Sequence, residues 1–251
     1  MEKVQKTSML YWYPQVKDVS VPQPRTIILE MSKEEKELLD YESLHPGPVR
    51  KTEEAIKKYF ELPVFIRTDL CSGKHSWEKS CYYDGTRDLE NNMLEILTYN
   101  LCTDNWFNAW VIREYIEPAS QFKAFKNMPI GKERRYFIKN GKVIGGDAYW
   151  IEEAFIDKYG SLHSEKLPLS WKKILAKLNT PDEKEIKTLT EYSQRIANRL
   201  DGFWSVDFML AKDGKWYFID AAEASRSWIQ PSMEETISGL LREEQNGRKT
   251  V

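Results

Sequence analysis

Histidine and cysteine are scarce in this chain of 251 residues, with three of each. Cys71, Cys81 and Cys102 form an odd set without a CxxC pair, so neither a disulfide framework nor a cysteine zinc site is expected. His45, His75 and His163 lie far apart, which argues against a histidine zinc site or a Ser-His-Asp triad. No run approaches the roughly eighteen apolar residues of a membrane span, and residues 1–15 hold no continuous apolar stretch. The expectation is a protein of a reducing cytoplasm, with no membrane partner. Charge of one sign is also missing: 37 basic against 39 acidic residues leave a net of −2. No global field draws the chain to nucleic acid, and any anion site has to be local. Internal repeats and low-complexity tracts are absent as well.

What is present is an aromatic load, nine Trp and thirteen Tyr within a 41% hydrophobic composition, which supplies a core and excludes a disordered chain. Residues 9–31 read as short extended pieces broken by Pro14, Pro22 and Pro24, with TIILEM a strand. Ser32 with Glu35 predicts a capping box and a short helix to about Tyr41. HPGP at 45–48 reads as a loop, and 52–61 as a helix that Thr52 caps. VFIRT is a strand after Pro63, 87–100 an amphipathic helix, and 110–116 a strand running towards Pro118. ERRYFIKNGKVIGGDAYW reads as a hairpin turning at Asn140-Gly141. FWSVDFMLAKDGKWYFIDAAE reads as a second, turning at Asp213-Gly214. Helices are expected at 182–200 and 233–244. Hairpins set between helices predict an α+β fold.

Four segments carry chemistry. Arg67 leads into a polar loop with Ser72, Gly73 and Lys74. Glycine lets backbone amides approach phosphate oxygens while Lys and Arg neutralise charge, although an ordinary turn with a solvated lysine has the same composition. WVIREYIEP offers backbone groups to an adenine edge and Glu117 to a ribose, or is a buried strand leaving the core. In ERRYFI, strand alternation forces Arg134 and Arg135 to opposite faces. An arginine turned to a cleft holds a transferring phosphoryl group, whereas a surface ion pair with Glu133 is the plainer alternative. Counted outward from the second turn, Asp207 and Asp220 fall opposite or nearly opposite each other. Both interrupt apolar runs, and a magnesium ion offsets their repulsion, with Glu223 as a third ligand.

The order of these segments, together with YWYPQVKDVSVPQPRTIIL near the N-terminus, resembles the ATP-grasp superfamily. The similarity points to the subgroup of eukaryotic cell-division-cycle chaperones that assemble a translation initiation factor, with their bacterial and phage relatives. It implies two α+β lobes with ATP in the cleft between them. Its divisions are a truncated N-terminal segment over 1–50, a small lobe over 51–116 and a large lobe over 117–251. It places Arg67 at the first phosphate-binding lysine and Lys74 at a basic loop position. Glu114, Tyr115 and Ile116 take the adenine hinge, Glu117 the ribose acid, Arg135 the arginine after the hinge, and Asp207 and Asp220 the metal acids. The position two residues beyond the second acid, usually Asn, is Ala222. The implied activity is an ATP- and magnesium-dependent carboxylate–amine ligase acting on a small-molecule or peptide carboxylate. An ATP-binding protein holding a protein partner, and a small-molecule kinase, are the alternatives. Trp106, Phe107 and Trp110 are expected to pack behind the hinge, and Tyr11, Trp12 and Tyr13 to pack in the core.

Overall fold

A computed structural model describes residues 5–40, 43–156 and 167–248. His163 and the expected helix end at Tyr41 lie outside the described residues. Helix α1 (Met9–Val16) comes first, where extended pieces were expected. Ser8 caps it, its Oγ accepting from the Leu10 amide, and Met9, Trp12 and Val16 recur at helical spacing with no exposure at all. Burial of that stripe overrides the breaking tendency of Pro14.

Strand β1 (Thr26–Glu30) follows, then the capping-box helix α2 (Lys33–Glu37), where Ser32 and Glu35 bond each other's backbone amides. Helix α3 (Pro46–Tyr59) starts inside the expected HPGP loop. His45 caps it through Nδ1, and Pro46 and Pro48 occupy the first turn, whose amides have no helical partner in any case. Thr52 is therefore a buried interior residue of this helix and not its cap. Next come β2 (Val64–Thr68), β3 (Tyr82–Tyr83), α4 (Leu89–Cys102) and β4 (Ala109–Glu114).

These strands make one antiparallel sheet in the order β1-β4-β2-β3. Its back is closed by Ile56 of α3 and by Met93, Ile96 and Leu97 of α4, packed on Val64, Ile66, Trp110 and Ile112. Phe107 and Trp110 are buried there as expected, but Trp106 is 53% exposed, its indole N–H donating to Asp104.

A small hairpin of β5 (Ser120–Ala124) and β6 (Met128–Gly131) was not foreseen, because its turn of Phe125, Lys126 and Asn127, all at positive φ, carries no glycine signal. Strands β7 (Glu133–Lys139) and β8 (Lys142–Ala148) turn at Asn140-Gly141, both at positive φ as a type I′ turn requires. Helices α5 (Trp171–Asn179) and α6 (Glu183–Ala197) lead to β9 (Phe203–Leu210) and β10 (Trp216–Glu223), and α7 (Glu234–Arg248) ends the described chain.

The second sheet runs β10-β9-β7-β8. One face packs Tyr136, Ile138, Val206 and Phe208 on Leu189 and Ile196 of α6, with α1 in the same core. The α+β expectation holds. Among the described residues no helix is long and apolar enough to cross a membrane.

Candidate functional site

The face of the second sheet opposite α6 meets the first sheet across a cavity of about 300 Å3. Strand β2 sends Arg67 into it. This side chain is 5% exposed and fully engaged: Nε donates to Thr68 O at 3.0 Å, one terminal nitrogen to Leu70 O and the other to Asp220 Oδ2 at 2.9 Å. Burial disfavours its charge, but Asp220 outweighs burial and raises its pKa. Ser72, Gly73 and Lys74 follow in the loop and line the same cavity. Gly73 sits at φ +61, the left-handed region that a glycine enters without cost. The Lys74 ammonium lies 4.0 Å from Glu133 Oε2 and over the Tyr149 and Trp150 rings, at 4.3 and 4.8 Å. Burial opposes its charge, yet Tyr149, Glu133 and Asp207 together raise its pKa, so it remains a cation at neutral pH.

Alternation along β7 separates the two adjacent arginines. Arg135 enters the cavity and grips Asp207 with two prongs, Nε to Oδ1 and a terminal nitrogen to Oδ2, both at 2.7 Å. Its other terminal nitrogen donates to Trp228 O at 3.0 Å. Arg134 turns to the opposite face and bonds Glu185 of α6 and Leu178 O. Glu133 shares the Arg135 side. Burial raises its carboxyl pKa despite the nearby Lys74.

Asp207 and Asp220 are direct cross-strand partners in the β9–β10 ladder. Glu223 does not join them. It pairs with Trp204 and lines a separate cavity with Lys6, Ser225 and Glu244. Three residues along a strand is an odd step, which turns a side chain to the other face. The third-ligand expectation is corrected on that ground, and among the described residues no cluster of three or more His, Cys, Asp or Glu could hold a metal. Two carboxylates still fit magnesium, which is commonly held by one or two of them with phosphate oxygens and water completing the shell.

Glu114, Tyr115 and Ile116 line the cavity, where β4 ends. The Glu114 amide already donates to Arg25 O at 2.9 Å. Glu117 lies outside the cavity lining, drawn to Lys212 of the β9–β10 turn at 2.9 Å, an exposed pair. The chain leaves the ladder after Glu114, and the bridge between Pro118 and Ala211 carries Glu117 to the rim. Cys71 lines the cavity, whereas Cys81 is buried with its thiol pushed up to about 12 by burial, and all three cysteines are free.

Sequence reasoning missed Arg113, Tyr149, Met209 and Ile219, all of which line the cavity. Arg113 did leave a signal, because it interrupts an apolar strand as Asp207 does. It is 4% exposed and forms no ion pair with a carboxylate among the described residues. Burial first and Arg67 second push its pKa down to about 10.

A family model described as an ATP-grasp domain, the third family of its clade, matches residues 44–238, more than half of the chain. C-terminally truncated Cdc123 from Schizosaccharomyces pombe is similar in structure at TM-score 0.50 and 12% identity, with 89% of this chain and 88% of that chain covered. The VanG D-Ala:D-Ser ligase from Enterococcus faecalis superposes at TM-score 0.47 and 13% identity, covering 86% of this chain and 52% of that one. N5-carboxyaminoimidazole ribonucleotide synthetase from Thermotoga maritima is matched over 41% of its length, with TM-score 0.45, 12% identity and 86% of this chain covered. The chain thus spans about half, or less, of these two enzymes. No curated protein sequence matches the chain.

Proposed function

The chain belongs to this family of ATP-grasp domains, and from that premise we propose that its cleft binds Mg-ATP and activates a carboxylate for attack by an amine. The observation that carries the reading is the direct opposition of Asp207 and Asp220, facing Arg67, Lys74 and Arg135 in one cavity. In this reading Glu114, Tyr115 and Ile116 border the adenine. Arg67, Lys74 and Arg135 surround the phosphates, and Asp207 and Asp220 hold the metal. Magnesium supplies charge neutralisation between phosphate oxygens.

The γ-phosphoryl group leaves its bridging oxygen and bonds to a carboxylate oxygen of the substrate. The amine nitrogen then bonds to the acyl carbon, phosphate departs, and the amine loses a proton to solvent. Such chemistry needs positioning, charge and exclusion of water, and no protein nucleophile. That agrees with a cavity whose only cysteine, Cys71, has no activating neighbour to make it a nucleophile. The test is calorimetry of ATP with and without magnesium, followed by a screen for ADP release over amino acids and peptides. Carboxylate-dependent ADP release supports ligation, and its absence in a protein that binds Mg-ATP opposes it.

One observation favours a second reading, an ATP-binding protein that holds a protein partner without turnover. Glu223 faces away from the two aspartates, and the position beside them on the cleft face is the apolar Ala222. A stable ATP-dependent protein complex without ADP release would select it. A phosphorylated product without ligation would point instead to a kinase.

A further inference from the structure

Asp220 faces the cleft because of one extra residue. On the turn side of β10 the ladder pairs Phe218 with Phe208, but on the other side it pairs Asp220 with Asp207, so Ile219 has no partner on β9. In an unbroken ladder Ile219 would stand opposite Asp207, and Asp220 would oppose Val206 on the face covered by α6. The bulge therefore decides whether the two carboxylates meet. A bulge also leaves backbone groups unpaired, and buried ones need partners.

Both flanking groups find theirs outside the second sheet. The Phe218 amide donates to Pro22 O at 2.8 Å. The Ile219 carbonyl accepts a short hydrogen bond from a terminal nitrogen of Arg113, whose Nε donates to Thr26 Oγ1 at 3.2 Å. Arg113 belongs to β4 of the first sheet, so its guanidinium crosses between the sheets to reach the bulge. It is held there at 4% exposure although no carboxylate forms an ion pair with it among the described residues.

We propose that Arg113 is a positioning residue for the metal pair: by holding the Ile219 carbonyl it fixes the bulge that sets Asp220 against Asp207. This rests on the reading of the cleft as a Mg-ATP site. It also gives the first sheet a direct hold on the metal acids of the second, separate from the Arg67 ion pair with Asp220.

The test compares ATP affinity by calorimetry with and without magnesium, alongside thermal unfolding, in the wild type and four variants. Arg113→Met is expected to lower the magnesium-supported affinity at least about tenfold, the scale of an outer-shell residue, with metal-free ATP affinity kept within about twofold. Arg113→Lys, which retains a donor and a charge, should recover part of the loss. Arg113→Met in an Asp220→Asn background should add nothing to the loss from Asp220→Asn alone. Deletion of Ile219 leaves Asp220 opposite Asp207 in an unbroken ladder, so in that background Arg113→Met should no longer affect the magnesium dependence. If Arg113→Met does not fold, Arg113→Lys with and without the deletion carries the same comparison.

Equal losses with and without magnesium would overturn the proposal, as would no loss, or a loss that persists in the deletion background. A wild type that binds ATP without any magnesium effect removes the metal reading itself and this inference with it. A normal wild-type effect that survives Arg113→Met removes only the role of Arg113.

Discussion

Arg134 and Arg135 are neighbours in sequence and are held on opposite faces of one sheet, Arg134 by Glu185 of α6 and Arg135 by Asp207 in the cleft. The period of two in β7 leaves no other arrangement. The separation predicts different phenotypes for two adjacent substitutions. Arg134→Met leaves Glu185 with Lys132 as its remaining ion-pair partner. It should cost about 3 kcal/mol in stability, as breaking a buried pair does, with ATP affinity unchanged. Urea unfolding and calorimetry on the same samples decide this, and a loss of ATP affinity at constant stability would reverse the assignment.

Arg135→Ala should act through the phosphates. Its two-pronged hold on Asp207 leaves guanidinium protons over for a ligand in the cavity. The expected outcome is a larger loss of ATP affinity than of ADP affinity, measured by competition binding. Equal losses would count against contact with the terminal phosphate.

The two aspartates should not behave alike. The Asp220 side chain is 36% exposed, so Asp220→Asn should cost about 1 kcal/mol or less in stability while reducing magnesium-supported ATP affinity at least about tenfold. Asp207 is buried against Arg135, so Asp207→Asn should also lose about 3–5 kcal/mol of stability. Denaturant unfolding beside calorimetry separates the two effects. Mg-ATP binding at wild-type strength in both variants would remove the metal assignment.

Glu133 gives a pH signature. Burial raises its carboxyl pKa above the ordinary value of 4.5 in spite of Lys74. A group raised on folding contributes stability below its unfolded value and loses it as pH rises through the folded value. Glu133→Gln should therefore be more stable than the wild type at about pH 7.5 and lose that advantage near about pH 4. Urea unfolding at both pH values reads it, and an advantage independent of pH would contradict the cause given.

Elements governed by short-range rules were legible in the sequence. The Ser32–Glu35 capping box, the Asn140-Gly141 and Asp213-Gly214 hairpins and the helix at 89–102 follow from caps, turn residues and periodicity. Helix α1 was missed because Pro14 and the aromatic run resemble a broken strand locally, and its stability lies in a core supplied by residues far along the chain. The β5–β6 hairpin escaped because Phe125 and Lys126 occupy positive φ without the expected glycine. Glu117 and Glu223 were given to the site by proximity in sequence. The path of the chain after Glu114 and the side-chain alternation of β10 place them elsewhere.

By itself the sequence determined the two hairpins, the splitting of Arg134 from Arg135 and the near opposition of Asp207 and Asp220, since each depends on a period of two counted from a turn. Only the tertiary structure decided that Arg67 meets Asp220, a partner 153 residues away, and that a bulge at Ile219 held by Arg113 turns Asp220 to the cleft. The reason is range. Backbone geometry constrains a few neighbouring residues, whereas the placing of buried charges depends on which distant groups arrive to satisfy them.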